Sequence, residues 1–384
     1  MIPYARQDIT QADIDAVTEV LRSDFLTQGP VVSRFEQAVA VRCGAKHAVA
    51  VNSGTSALHV ACLAFDLGPG DLLWTSPNTF VASANCALYC GASIDFVDID
   101  PRTYNMSVDE LRNRLARAEQ EGRLPKIVVA VHFGGQPCDM AAIGALARRY
   151  GFAVIEDASH AVGATDGTAT VGSCAHSDIT VFSFHPVKII TTGEGGMLLT
   201  NRADAGAKVR LLRSHGVTRD PDLMDQPSHG PWYYQQTELG YNYRITDIQA
   251  ALGLSQLARL EEFIERRRLL ARNYDQLLDG LPLILPYQRP DARSAWHLYV
   301  VRVPRDGRKT RNEVLMELRE AGILANVHYI PVHTQPYFRK LGFRPGDFLE
   351  AERYYEEAIS LPIFFGLSEA DQERIAEQLR NILS

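Results

Sequence analysis

The sequence carries little that favours a polyanion, a membrane or a disulfide framework. Thirty-nine Lys and Arg are outweighed by forty-six Asp and Glu, and a formal net charge of -7 leaves no broad basic surface for nucleic acid. No apolar run reaches the roughly 18 residues of a membrane span. The opening MIPYARQDITQADIDAV also lacks a basic start followed by an apolar stretch, so a cytoplasmic protein is expected. The six cysteines (Cys43, Cys62, Cys86, Cys90, Cys138, Cys174) form neither a CxxC pair nor a Cys/His cluster, which predicts reduced, mostly buried thiols and no metal centre. What is present is ordinary for a soluble globular protein: 46% hydrophobic and 22% charged residues over 384 positions fill one large core or two moderate ones and exclude a disordered or coiled-coil chain.

Organisation is read from periodicity and turn residues, because there is no repeat or low-complexity linker. Short β-rich runs at 47–51, 72–75, 93–97, 127–132, 153–156, 179–184 and 196–200 are bounded by turn residues, and several are apolar on both faces. Helical patterns lie between them. In DMAAIGALARRYG, for example, Met140, Ile143, Leu146 and Ala147 form one stripe that Gly151 closes. The alternation predicts an α/β fold with a mostly parallel seven-stranded sheet and ligand chemistry at the carboxyl ends of its strands. A single long helix is expected over 246–278, followed by a smaller α+β unit. The expected division is a large domain over 1–255 with an N-terminal arm, and a C-terminal domain over 256–384 that includes the long connecting helix.

Lysine is scarce. Only Lys46, Lys126, Lys188, Lys208, Lys309 and Lys340 occur, so each is informative. Lys188 lies in VFSFHPVKIITTGEGGMLLT, apolar and Gly-rich, with no acid until Glu194. Two readings stand side by side: a lysine that snorkels from a strand end to water, or one whose burial lowers its pKa and leaves an amine able to attack a carbonyl.

The residues that a lysine-bound pyridoxal phosphate requires are also present. Its pyridine nitrogen needs a carboxylate so that the protonated ring withdraws electrons. Asp157, after the run AVIE, leaves the same sheet edge as Lys188, although an Asp there also suits a helix N-cap or turn. Strand alternation sends Glu156 to the opposite face. Asn52-Ser53-Gly54-Thr55-Ser56 joins a strand to a helical run and offers N–H groups and hydroxyls to a phosphate. Ser183 adds a hydroxyl. Phe80, in TSPNTFVASAN, is either a ring that stacks on the pyridine or plain core.

With SFHPVKIITTGEGG, EDASHAVGA, NSGTSALHVA, TSPNTFVASAN and GYNYRITDIQAALGLSQL in this order, nearly the whole chain resembles the DegT/DnrJ/EryC1/StrS sugar aminotransferases, a fold type I group dependent on pyridoxal 5'-phosphate. Within it, IPYARQDIT, LTQGP, CALYCGASIDFVDIDPRTYNMSV, RSHGVTR and NVHYIPVHTQPYF are most similar to the UDP-4-amino-4,6-dideoxy-N-acetyl-β-L-altrosamine transaminases of pseudaminic acid synthesis. The resemblance implies that Lys188 bonds the cofactor, Asp157 pairs with its ring nitrogen, and His160 sits beside the ring near O3'. Gly54, Thr55 and Ser183 would hold the phosphate. The nearest relatives often carry alanine where Gly54 stands, and glycine there is expected only to loosen the turn. A homodimer with interfacial sites is implied, in which Asn242 reaches the phosphate of the neighbouring chain.

For the nucleotide sugar, the resemblance implies contacts from Tyr4, Leu26, Thr27, Gln28, Gly29, Ser56, Asn326, Val327, His328, Tyr329 and Tyr337. The implied reaction moves the amino group of L-glutamate, by way of pyridoxamine 5'-phosphate, to C4 of a UDP-linked 4-keto-6-deoxy N-acetylhexosamine. Other keto sugars, a dehydratase with histidine in place of the lysine, and a non-catalytic sensor of the same fold are the rivals. The loop 219–236, with Trp232, Tyr233 and Tyr234, either covers the ligand or buttresses the dimer.

Overall fold

The computed structural model describes residues 1–384. The seven runs form one sheet: β1 (His47–Val51), β2 (Leu72–Thr75), β3 (Ser93–Phe96), β4 (Ile127–Val131), β5 (Ala153–Asp157), β6 (Ile179–Ser183) and β7 (Gly196–Thr200). Their order across the sheet is β1-β7-β6-β5-β4-β2-β3. Neighbours run parallel except for β7, which is antiparallel to both β1 and β6. The connection between β6 and β7 contains no helix, and it carries Lys188.

Strand alternation divides the side chains between two covered faces. Val49, Val51, Ile127, Val129 and Ile155 enter one core, together with Leu58 and Ala61 of the Gly54–Ala64 helix. Ala48, Ala50, Phe182 and Met197 enter a second. Val128, Ala130 and Val154 enter a third, under the Met140–Tyr150 helix. That helix begins and ends where its sequence dictates: the Asp139 side chain accepts the Ala142 N–H, and Gly151 closes the helix in the left-handed region at φ 79°.

The expected single helix over 246–278 is two helices, Asp247–Ala258 and Leu260–Leu277, meeting at Arg259 (φ -102°, ψ 7°). At the break the Arg259 guanidinium is tied to neighbouring groups. It bonds Asp8 at 2.6 Å and Glu262 at 3.3 Å and lies over the rings of Phe263 and Phe365. The second helix then changes partners along its length. Leu260, Phe263 and Ile264 pack with the sheet, whereas Leu270, Ala271 and Tyr274 join a separate core.

That separate core is built on β8 (Tyr299–Arg302) and β9 (Ala358–Leu361), an antiparallel pair, with the helices Arg311–Glu320 and Glu369–Leu383. The two ends of the chain meet there. Ile2–Pro3 pairs in parallel with Ile323–Leu324, and Ile2 is buried in the same core. Conversely, Val332, Phe338, Phe348 and Tyr354 pack into the core of the large sheet. All six cysteines are unpaired, and all but Cys90 are buried. No helix is long and apolar enough to cross a membrane.

Candidate active site

Three neighbouring strands end at one cavity of about 430 Å³: Val131, Asp157 and Ser183, the last residues of β4, β5 and β6, all line it. The other walls come from Gly54 and Thr55 at a helix start, Thr79 and Phe80 after β2, Lys188, Tyr4 near the N-terminus, and His328 and Tyr329 after Ile323–Leu324. Parallel strands place their carboxyl ends, and the loops that follow, on one edge of a sheet, which is why residues so distant in sequence converge.

Asp157 is 6% exposed and held from both sides. One carboxylate oxygen accepts the Ser159 N–H at 3.1 Å and its hydroxyl at 2.6 Å. The other accepts the Ser83 hydroxyl at 2.6 Å, and Ser83 and Thr79 share a 2.7 Å hydroxyl contact. Such a cage keeps the carboxylate in one orientation. Glu156 points to the opposite face, where it meets His132 at 2.7 Å and the Thr180 hydroxyl at 3.0 Å. Lys188 faces the cavity. Burial pushes its pKa down to about 8, and the negative charge of Asp157 opposes that shift.

At the other end of the cavity, the Ser53 hydroxyl caps the Gly54–Ala64 helix by accepting the Ser56 N–H at 3.0 Å. The N–H groups of Gly54 and Thr55, in the first turn, have no intrahelical acceptor and stand at the cavity wall, as an anion site requires. Gly54 does more than loosen the turn. A Cβ there would lie 2.9 Å from the Ser183 Cβ, so the absence of a side chain lets the helix start sit directly against the β6 hydroxyl. Gly196 does the same from below, since a Cβ would come within 2.6 Å of the Ser53 carbonyl carbon and 2.8 Å of the Gly54 nitrogen. A lysine amine, a caged carboxylate and an N–H cradle around one cavity fit pyridoxal 5'-phosphate: Lys188 would hold its aldehyde carbon, Asp157 its ring nitrogen, and Gly54, Thr55 and Ser183 its phosphate.

The remaining wall is aromatic. His160 is buried and nearly parallel to Tyr329 (20°, centroids 6.1 Å apart), and its Nε2 lies 3.2 Å from the Tyr329 hydroxyl. His297 packs on it at 4.3 Å. Burial, then the positive charge of Lys188, holds the His160 pKa well below its ordinary value. His328 is pushed down to about 4 by the same two causes and packs 5.4 Å from Tyr4. Phe80, 58% exposed, stands at the cavity wall with its ring 6.2 Å from Tyr329.

Other expected ligand contacts lie elsewhere. Ser56 is turned into the cap network, bonding Asn52 at 2.6 Å, and Asn326 pairs with Ser360. Val327 is not on the cavity wall. Leu26, Thr27 and Gln28 are exposed, with Gly29 behind them at the start of the Pro30–Cys43 helix. Tyr337, 58% exposed, lies outside the cavity, and Asn242 is exposed in a bridge to Ser214. Trp232 and Tyr234 are also exposed, 71% and 54%, and neither lines the cavity. Sequence reasoning passed over Thr79, Ser83 and Ser159, which brace Asp157. Their signal was there, in TSPNTFVAS and EDAS, but hydroxyl residues in such turns are common enough to carry no weight until the fold gathers them.

The family model for the DegT/DnrJ/EryC1/StrS aminotransferases matches residues 7–380. Among curated proteins, the chain is 42% identical to the spore coat polysaccharide biosynthesis protein SpsC of Bacillus subtilis, covering 100% of this chain and 97% of that protein. It is 38% identical to the GDP-perosamine synthase of Caulobacter vibrioides, covering 96% and 95% respectively. It is 35% identical to a UDP-4-amino-4,6-dideoxy-N-acetyl-beta-L-altrosamine transaminase of Campylobacter jejuni, covering 100% and 98%. Among solved structures, Helicobacter pylori PseC, an aminotransferase of pseudaminic acid biosynthesis, superposes with a TM-score of 0.90 at 30% identity, covering 100% and 99%. A putative sugar aminotransferase of Streptococcus pneumoniae in its PMP form gives a TM-score of 0.91 at 29% identity with the same coverage, and it has also been solved in a PLP form. The chain therefore belongs to the DegT/DnrJ/EryC1/StrS aminotransferase family and is a pyridoxal-phosphate-dependent sugar aminotransferase.

Proposed function

We propose that the protein transfers the amino group of L-glutamate to C4 of a UDP-linked 4-keto-6-deoxy N-acetylhexosamine, giving UDP-4-amino-4,6-dideoxy-N-acetyl-β-L-altrosamine. The observation that carries the transamination is the single cavity that presents both the Lys188 amine and the braced Asp157 carboxylate. The sugar assignment is supported by end-to-end similarity to the altrosamine transaminases and to PseC. A second reading, a GDP-linked keto sugar, is favoured by the higher identity to GDP-perosamine synthase.

Bound in this cavity, pyridoxal 5'-phosphate supplies an aldehyde that takes up an amino group and a ring that draws electrons from the adjoining carbon. Asp157 keeps the ring nitrogen protonated, and its two-sided cage prevents it from rotating away. Lys188, with a pKa near 8, is partly uncharged at neutral pH, so its Nζ removes the proton from the α-carbon of glutamate and, in the second half-reaction, delivers a proton to sugar C4. Gly54, Thr55 and Ser183 would anchor its phosphate, and Phe80 and His160, on the same cavity wall, would lie beside its ring.

The proposal includes a homodimer. Leu26, Asn242 and Tyr337, implied ligand contacts that stand exposed outside this chain's own cavity, would then serve the cavity of the second copy. The proposal also includes the division into a large unit over 1–255 and a smaller one over 256–384. The test is to incubate the purified holoenzyme and glutamate with UDP- and GDP-linked 4-keto-6-deoxy sugars in parallel, and to identify the amino sugar by mass and proton couplings. Amination confined to the GDP substrate would transfer the assignment to the second reading. No amination of either would remove both.

A further inference from the structure

We infer that Tyr329 donates its O–H to the oxygen of the carbonyl group that exchanges the amine, and that His160 holds Tyr329 in this donor role. The inference rests on the proposed reading of this cavity as the transamination site.

One backbone group near His160 can only donate. The Gly134 N–H lies 3.3 Å from His160 Nδ1, so Nδ1 must be the bare nitrogen of the ring. His160 is buried beside Lys188 and uncharged, and its one proton therefore sits on Nε2. Nε2 lies 3.2 Å from the Tyr329 oxygen and donates to it. The phenol keeps its own proton, because burial and the charge of Asp157 hold its pKa far above the ordinary value. That proton has no acceptor within the chain, yet Tyr329 lines the cavity. It is left for the occupant.

The surroundings fix this arrangement. Gly134 takes φ +64°, a left-handed conformation open to glycine without cost, and this aims its N–H at residue 160. At Gly135 a Cβ would lie 2.9 Å from the His160 carbonyl oxygen, so the turn presses directly on the histidine backbone. The Tyr354 hydroxyl donates to the His328 carbonyl at 2.8 Å, pinning the chain immediately before Tyr329. Phe133 meets the Tyr329 ring edge-on at 77°. A carbonyl oxygen gains negative charge as an amine adds to its carbon, and a preset donor stabilises that charge without reorganisation. His160 is then a positioning residue, and its bond to the phenol oxygen polarises the O–H toward the ligand.

The test uses the holoenzyme and Tyr329→Phe, which keeps the ring and its packing. We expect kcat for the keto sugar to fall about 100-fold with KM changed by no more than a few-fold. A second readout needs no turnover. In ¹⁵N-histidine-labelled holoenzyme, the ring signals that vanish in His160→Asn must show the proton on Nε2, and Tyr329→Phe must leave that tautomer unchanged, since Gly134 sets it. A proton on Nδ1, a charged ring, or kcat within about two-fold of the parent would overturn the inference. Borohydride labelling of Lys188 in the same preparations separates the two levels. Labelled Lys188 with an unaffected Tyr329→Phe sinks only the inference, whereas an unlabelled Lys188 sinks the reading beneath it.

Discussion

Lys188 is the residue whose chemistry is most sensitive to its setting. With a pKa near 8, its neutral fraction rises roughly tenfold between pH 7 and pH 9. Capture of pyridoxal phosphate by the cofactor-free protein should accelerate by that factor with a midpoint near pH 8, as stopped-flow absorbance would show; a flat profile would mean the amine is not the group being titrated. The sign follows from burial: the enclosed ammonium is disfavoured, so the uncharged amine appears at lower pH than in a free lysine. Lys188→Ala should abolish turnover. Asp157→Asn should lower kcat on the order of 100-fold or more, since an amide cannot hold the pyridine proton as a carboxylate does. Single-turnover kinetics with glutamate would detect either loss. At this scale the sequence was most legible: scarcity singled out Lys188, and the run AVIE before Asp157 put both on one sheet edge. What could not be read was orientation. Ser56 has the composition of a ligand contact, but the helix cap claims its hydroxyl.

Among the elements, β7 has the most demanding task. It runs against its neighbours and passes directly beneath the helix start that forms the anion cradle. Gly196→Ala should push its new methyl into the Ser53 carbonyl, destabilise the protein by about 1–3 kcal/mol and weaken pyridoxal phosphate binding several-fold. Urea denaturation and cofactor titration would measure the two effects; an unchanged affinity would show that the cradle can shift without loss. Strands were readable because both faces are covered, so apolar runs stand out between turn residues. The break at Arg259 was not, because no proline or glycine marks it. Arg259, at the break, meets Asp8 and Phe365, which only the folded chain brings together.

Across the whole molecule, the two ends of the chain are tied into one body. Arg302 of β8, 6% exposed, bonds Glu357 through Nε at 2.8 Å and the Pro101 carbonyl at 3.2 Å, joining the C-terminal strand pair to the loop beyond β3. Glu357→Ala strands a buried guanidinium and should cost about 3–5 kcal/mol. If denaturation shows a loss below about 1 kcal/mol, water or Pro101 is replacing the carboxylate. Sequence periodicity suggested a second core but not its membership, because the Ile2–Pro3 pairing with Ile323–Leu324 is a long-range contact that no local pattern announces.

The register of β5 against β6 has a further consequence. Asp157 stands opposite Val181, and Ser183 follows two positions later on the adjoining strand. Strand rise and strand spacing put their backbones roughly 8 Å apart on the diagonal. The sheet thus works as a fixed gauge for its ligand. A molecule gripped at both points must match that span, and a one-residue slip of the ladder to change it would turn every buried side chain of the strand to the wrong face.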